Sequence, residues 1–292
     1  MPGPSKFAQS LGSDSFVVTC ELDPPKGFAP SSVDRKIAFL KDKVQAVVVS
    51  DNPKARVQMA PIGMCRYLLE QGLEPIMTLT CRDRNRLALQ SDLLAAAALG
   101  IQNILAVTGD YVTWGDHPEG KPVYDLDSIQ LIWTISQLNR NKDISGNDVE
   151  GPPPLFTVGS SVALTGRPLG PQVLKAGKKE KAGVHFFMSH PVFDLTGVEE
   201  FFKEIVEIKT PLLASVCLLT EDQIQGYAPG KYPGLLIPES LSAHFKSVPS
   251  TEFQSRMIEF TARLIETIRK DGRFRGVHLM LQGQEERIGD LI

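Results

Sequence analysis

Short apolar runs recur along the chain, and longer segments with apolar residues three or four apart separate most of them. The runs are FVVTCEL (16–22), QAVVVS (45–50), PIMTLT (75–80), NILAVT, LFTVGSSVA (155–163), VHFFMS (184–189), PLLASVCLL (211–219) and GVHLML (276–281). They are nearly continuous in hydrophobicity, the pattern of parallel strands covered on both faces. The segments between them read as amphipathic helices: MAPIGMCRYLLEQG (59–72), RLALQSDLLAAAALG (86–100), DSIQLIWTISQLNR (127–140), GVEEFFKEIVEIK (197–209) and FQSRMIEFTARLIETIRKDG (253–272). Gly72 and Gly100 stand where C-cap glycines belong, with Pro75 just beyond the first. Eight strands alternating with helices predict an α/β chain folded as one (β/α)8 TIM barrel over residues 1–292. Residues 1–15 are expected to be a loosely ordered N-terminal segment. A doubly wound open sheet is the alternative fold. Three stretches are irregular: 109–126, 141–154 and 220–249, the last with a short helix near 239–246.

Composition narrows the function classes. With 42% hydrophobic and 22% charged residues, a 292-residue chain has an ordinary globular make-up and can bury a substantial core. A net charge of −3 argues against a nucleic-acid surface, which carries a basic excess. No apolar window is long enough to span a membrane, and the first fifteen residues lack the apolar core of a signal peptide, so a cytoplasmic protein is expected. Cys20, Cys65, Cys81 and Cys217 are scattered and form no C-x-x-C pair, which predicts reduced thiols and no metal site built by this chain alone. Neither a P-loop nor a Rossmann glycine pattern is present.

In such a barrel the chemistry sits at the carboxyl ends of the strands. Glu21 closes the first run, and Asp110 follows the fourth, with Gly109 letting backbone come close to a ligand. Ser50, Asp51, Thr80, Ser160, Ser161, Ser189 and His190 end other runs. Two acids on one rim suggest general acid/base work, with at least one pKa raised by partial burial. The alternative is that each acid only caps a helix or binds a backbone amide. TCRDRNR (80–86) could hold an anion, or be a solvated first turn with Asp83 and Arg84 paired. The four lysines of VLKAGKKEKAG (173–183) read as a solvated helix face. His185 and His190 are wrongly spaced for two metal ligands on one strand face. Of the two, His190 is the better substrate contact, and His185 reads as packed or as supporting a neighbouring residue.

TCRDRNRLALQSDLLAAAALGIQNILAVTGD, the following GDHPEGKPVYDLDSIQLI and the opening CELDPPKG resemble the methylenetetrahydrofolate reductase family. The likeness is to its short bacterial form and to the reductase half of bifunctional homocysteine methyltransferase/reductase proteins, and it runs from about residue 16 to 282. It implies a barrel with a non-covalent flavin, FAD with FMN as the alternative, often reduced by NAD(P)H. The implied reaction reduces 5,10-methylenetetrahydrofolate to 5-methyltetrahydrofolate, a step of one-carbon metabolism that serves methionine biosynthesis. Glu21 matches the family's catalytic acid. Asp110 matches the acid of its Gly-Asp pair, near both flavin and folate. Ser50, Thr78, Thr108, Gly109, Tyr124, Ser160 and Lys178 fall at or near flavin-contacting positions. His190 stands where the family usually has a pterin-binding glutamine, which leads to the expectation that folate binding weakens as His190 gains charge near pH 6.5. Thr78 stands where some members have a histidine. Two further readings are a subunit that takes electrons from an iron–sulfur or zinc-containing partner, as a homo- or hetero-oligomer, and a degenerate relative that binds flavin or folate without turnover.

Overall fold

The apolar runs pair in chain order. In a computed structural model, which describes residues 3–205, 208–228, 231–232 and 234–292, strands β1 (Val17–Leu22), β2 (Ala46–Val49), β3 (Pro75–Thr80), β4 (Asn103–Val107), β5 (Thr157–Val162), β6 (Phe186–Pro191), β7 (Leu212–Cys217) and β8 (Gly276–Met280) form a closed barrel. Every pairing is parallel, and β8 returns to β1 through Val17 opposite Gly276 and Thr19 opposite His278. The helices are α1 (Lys6–Gly12), α2 (Asp34–Leu40), α3 (Pro61–Glu70), α4 (Arg86–Ala98), α5 (Ser128–Leu138), α6 (Leu169–Ala182), α7 (Thr196–Glu204), α8 (Glu221–Gln225), α9 (Glu239–Lys246), α10 (Ser250–Lys270) and α11 (Ile288–Leu291). Among the described residues, no helix is long and apolar enough to cross a membrane.

Strand alternation divides the core in two. On β1, Cys20 and Leu22 join the large cluster under the helices, whereas Val17 belongs to a smaller interior cluster with Ala46, Ile76, Phe186 and Leu213. Both strand faces are therefore apolar, which is why the runs show no alternation in sequence. Above the interior cluster the inward positions turn polar: Glu21, Ser50, Thr78, Thr80 and His190 face a cavity at the carboxyl end.

The amino end of the barrel is stoppered by α1, contrary to the expectation of a loose segment at 1–15. Ser5 caps this helix by accepting the Ala8 N–H at 3.0 Å, and its hydroxyl donates to Asn103 Oδ1 at 2.7 Å. Phe7 and Leu11, one turn apart, bury themselves in the interior cluster, and the Phe7 ring meets Phe186 edge-on with centroids 5.0 Å apart. Phe186 in turn requires Gly159, where an added Cβ would lie 2.1 Å from its ring. Residues 1 and 2 lie outside the described residues.

Helices α2 and α8 are not signalled by the sequence pattern, and the helix read over 173–183 is α6, which starts four residues earlier. α2 is only two turns long, and the apolar face of α6 at Val173 and Ala176 is interrupted by lysines. The helix expected over 197–209 stops at Glu204 because Ile205 adopts an extended backbone; residues 206 and 207 lie outside the described residues, as do 229, 230 and 233 of the irregular stretch 220–249. The short helix near 239–246 is α9.

Phe7→Ala removes the stopper's main side chain. It is expected to lower stability by about 3 to 5 kcal/mol in urea unfolding, the scale for a fully buried aromatic; a loss below about 1 kcal/mol would mean α1 is peripheral.

Candidate active site

The cavity at the carboxyl ends has a volume of about 670 Å³ and gathers residues from all eight strands and from several of the segments that follow them. Glu21 enters it from the end of β1, half-buried, with Oε1 accepting from the Ser50 hydroxyl at 3.0 Å. Its carboxyl is pushed up to about 7, chiefly because burial penalises the charged form and next because Asp23 lies near. Asp110 pushes in the same direction, while the Ser50 hydrogen bond and the charge of Lys54 pull the other way.

Asp110 faces the same space from the loop after β4. Its Oδ2 accepts the backbone N–H of Lys54 at 3.1 Å, and its carbonyl accepts from the Tyr124 hydroxyl at 2.9 Å. Tyr124 does not line the cavity; it steadies the Asp110 backbone from the helix side. Gly109 is fixed by its surroundings: φ is +98°, and a Cβ would lie 2.9 Å from Arg82 Cβ. Ser50, Thr78, Thr108 and Gly109 all line the cavity, as does His190.

Two expected positions are off by one residue. Ser160 points away from the axis, is fully buried, and donates to Ala106 O at 2.7 Å; its neighbour Ser161 lines the cavity instead. Lys178 is exposed on the outer face of α6, whereas Lys179 is buried and donates to Ser161 O at 2.6 Å. Burial, with Lys175 nearby, pushes Lys179 down to about 8. Lys175 and Lys179, one turn apart, both line the cavity.

His190 is half-buried, and burial followed by the charge of Lys179 holds its imidazole below the usual histidine value. The expected charge change near pH 6.5 therefore moves to lower pH. His185 is not packed: it lies at the opposite end of β6, exposed, with Nδ1 accepting the Val158 N–H at 2.9 Å.

The arginines of TCRDRNR are engaged in ion pairs. Arg82 pairs with Asp83 at 2.8 Å, Arg84 with Asp51 and Asp92 at 2.7 Å each, and Arg86 with Asp125 at 2.9 Å. The expected Asp83–Arg84 pair is replaced by Arg82–Asp83. Asp51 is buried and also accepts from the Thr80 N–H and hydroxyl, each at 2.9 Å, so it ties β2 to β3. All four cysteines are buried and free, and no metal-binding cluster occurs among the described residues.

Sequence reasoning missed Lys54, Lys179 and His278. His278 lies on β8 in the cavity wall, 3.0 Å from Thr19 Oγ1 through Nδ1, and burial pushes it down to about 4, so it is neutral at ordinary pH. The helical phase of α6 was the available signal for Lys179, since it stands three residues after the buried Ala176.

The sequence model of the family described as methylenetetrahydrofolate reductase matches residues 6–291. No curated protein matches the sequence significantly. Among solved structures, the chain is similar to an uncharacterized protein from Clostridium thermocellum that binds two copies of 5-methyl-5,6,7,8-tetrahydrofolic acid. That match has 13% identity and a TM-score of 0.66, covering 97% of this chain and 96% of the other. It is also similar to oxaloacetate acetylhydrolase in complex with 3,3-difluorooxalacetate, at 11% identity and a TM-score of 0.50 over 95% of this chain and 81% of that one. A third is 2,3-dimethylmalate lyase of the PEP mutase/isocitrate lyase superfamily, at 11% and 0.50 over 98% and 80%. At such identities these likenesses speak for the barrel fold.

Ser50→Ala removes the hydrogen bond that favours ionised Glu21, so the carboxyl is expected to titrate at higher pH than in the wild type. Infrared titration of the Glu21 carbonyl band, assigned by its loss in Glu21→Gln, measures this. An unchanged or lower midpoint contradicts the geometry.

Proposed function

The chain belongs to the methylenetetrahydrofolate reductase family, and from that premise we propose that it reduces 5,10-methylenetetrahydrofolate to 5-methyltetrahydrofolate by hydride transfer from a reduced flavin, FAD. The observation that carries the reading is Glu21: a half-buried carboxyl in the cavity wall, pushed up to about 7, with a second acid, Asp110, lining the same space. A protein of the same fold binds 5-methyl-5,6,7,8-tetrahydrofolic acid, the product of this reaction, which also supports it.

The cavity has the size of a ligand site, and its lining suits a flavin. Its volume of about 670 Å³ lies in the range of roughly 300–1,000 Å³ common for ligand sites. Thr78 and Thr108 offer neutral hydroxyls, and Lys179 is a buried ammonium whose hydrogen-bond partner is a carbonyl rather than a carboxylate. A buried cation with no carboxylate at ion-pair distance among the described residues suits a phosphate, and Lys175 adds a second charge beside it. Thr78, Thr108, Gly109, Lys175 and Lys179 would hold the cofactor; when bound, it would supply the hydride.

Glu21 in its protonated form gives its proton to a nitrogen of the folate's five-membered ring. The bond from that nitrogen to the methylene carbon breaks, and the lone pair of the other nitrogen forms the C=N bond of an iminium cation, which accepts hydride at carbon. A carboxyl titrating near neutrality suits this role because it holds a proton at working pH and loses it readily. The Asp110 carboxylate, kept in place by the Lys54 N–H and by Tyr124 behind it, favours the developing positive charge. His190, neutral above its lowered pKa, contributes one donor and one acceptor to the pterin edge.

Rapid mixing of each half-reaction tests this. Glu21→Gln is expected to keep flavin and its reduction by NAD(P)H while slowing folate reduction by about 10²- to 10⁴-fold. Near-normal folate reduction in the variant removes Glu21 from the mechanism.

A further inference from the structure

The loop after β2 carries a basic side chain on backbone that disfavours side chains. Asn52, Lys54 and Ala55 have left-handed φ values of 45°, 54° and 54°. Asparagine tolerates that region, but lysine and alanine meet a steric cost there that glycine avoids. Neighbouring elements impose the shape. Asn52 O accepts from Arg82 Nη2 at 3.2 Å, and Asn52 Oδ1 accepts the Gln58 N–H at 3.0 Å. The Val57 N–H donates to Asp116 Oδ1 at 3.1 Å, and Gly115 packs so closely that a Cβ there would lie 1.8 Å from Ala55 O. Strain held this firmly collects at functional sites. None of these contacts uses the Lys54 side chain. It is exposed at the cavity mouth, it lines the space shared with Glu21 and Asp110, and its ammonium has no carboxylate partner among the described residues.

We propose that Lys54 is a positioning residue for the acid pair: with its N–H fixed on Asp110, its ammonium is held at the cavity mouth, where it favours the ionised form of Glu21. The inference rests on the function proposed above for the two acids. The charge arrangement around Glu21 supports it. Asp23, just past the end of β1, and Asp110 after β4 push its carboxyl up, whereas Ser50 after β2 and Lys54 pull it down. Among the described residues, Cys217 on β7 is pushed up to about 12, burial pushes the thiol of Cys20 on β1 up as well, His278 on β8 is pushed down to about 4, and Asp51 after β2 is paired with Arg84. On β3, Thr80 does not titrate. Across the cavity, Lys179 stands beside His190 and donates to a carbonyl. Lys54 is thus the cation that opposes two acids at Glu21, and its field also reaches Cys217.

Three variants test the proposal through the Glu21 carbonyl band and thermal unfolding. Lys54→Met and Lys54→Gly remove the charge and keep the N–H, so Glu21 is expected to titrate at higher pH in both. Lys54→Arg keeps the charge and is expected to titrate as the wild type does. Added salt should move the wild type toward the methionine variant, since the lysine is solvent-exposed and screened. Lys54→Gly, which relieves the left-handed backbone, should hold or raise Tm. Equal titration midpoints in all four proteins would overturn the proposal. So would a fall in Tm for the glycine variant with no change in titration, because the side chain would then serve the loop alone. A band that shifts as expected in a protein unable to reduce folate supports the role of Lys54 and overturns the proposed reaction instead.

Discussion

Ionising Glu21 means placing a charge on an oxygen that the barrel wall has largely removed from water, with two other carboxyl groups close by. That penalty organises the site. It keeps a proton on Glu21 up to about neutral pH, and every contact around the carboxyl adjusts the balance: one hydroxyl from Ser50, one cation from Lys54, and two acids that oppose them. A carboxyl at the same strand end but open to solvent would be fully ionised at pH 7 and have no proton to give.

The barrel supplies the penalty through its layers. Phe7 and Leu11 of the N-terminal helix close the amino end, and Phe186, taking the space left by Gly159, fills the layer next to it. Water can then approach Glu21 only from the open, carboxyl end. The same closure lets polar side chains from separate strands converge there, so that Glu21, Asp110, His190 and Lys179, far apart in sequence, line one space. The ion pairs of Arg82, Arg84 and Arg86 hold the loops that follow β3 and β4 and leave the cavity's positive charge to the lysines.

Much of this was legible in the sequence. The eight apolar runs are the eight strands, because a strand buried on both faces leaves an unbroken hydrophobic signal. That same unbroken signal hid the facing of each residue: nothing in SSVA tells Ser160 from Ser161, and pairing to β4 turns Ser160 outward. In a run of lysines on α6, composition could not separate the exposed Lys178 from the buried Lys179, although the helical period could. The N-terminal helix was missed because its two apolar residues, one turn apart, are too few to signal a helix until the barrel end they fill is known. Lys54 was invisible for a different reason. Its importance lies in a left-handed backbone imposed by Gly115, Asp116 and Asp110, all distant in sequence.

The central claim is that a proton held by a desolvated glutamate drives folate reduction, and single-turnover kinetics across pH test it most directly. The protein is loaded with FAD, reduced anaerobically and mixed with 5,10-methylenetetrahydrofolate at a series of pH values, and reoxidation of the flavin is followed by absorbance. The rate constant is expected to be highest on the acid side and to fall through a single step near pH 7 as Glu21 loses its proton. A rate that stays level from about pH 6 to pH 8.5, or that rises with pH, would contradict the account.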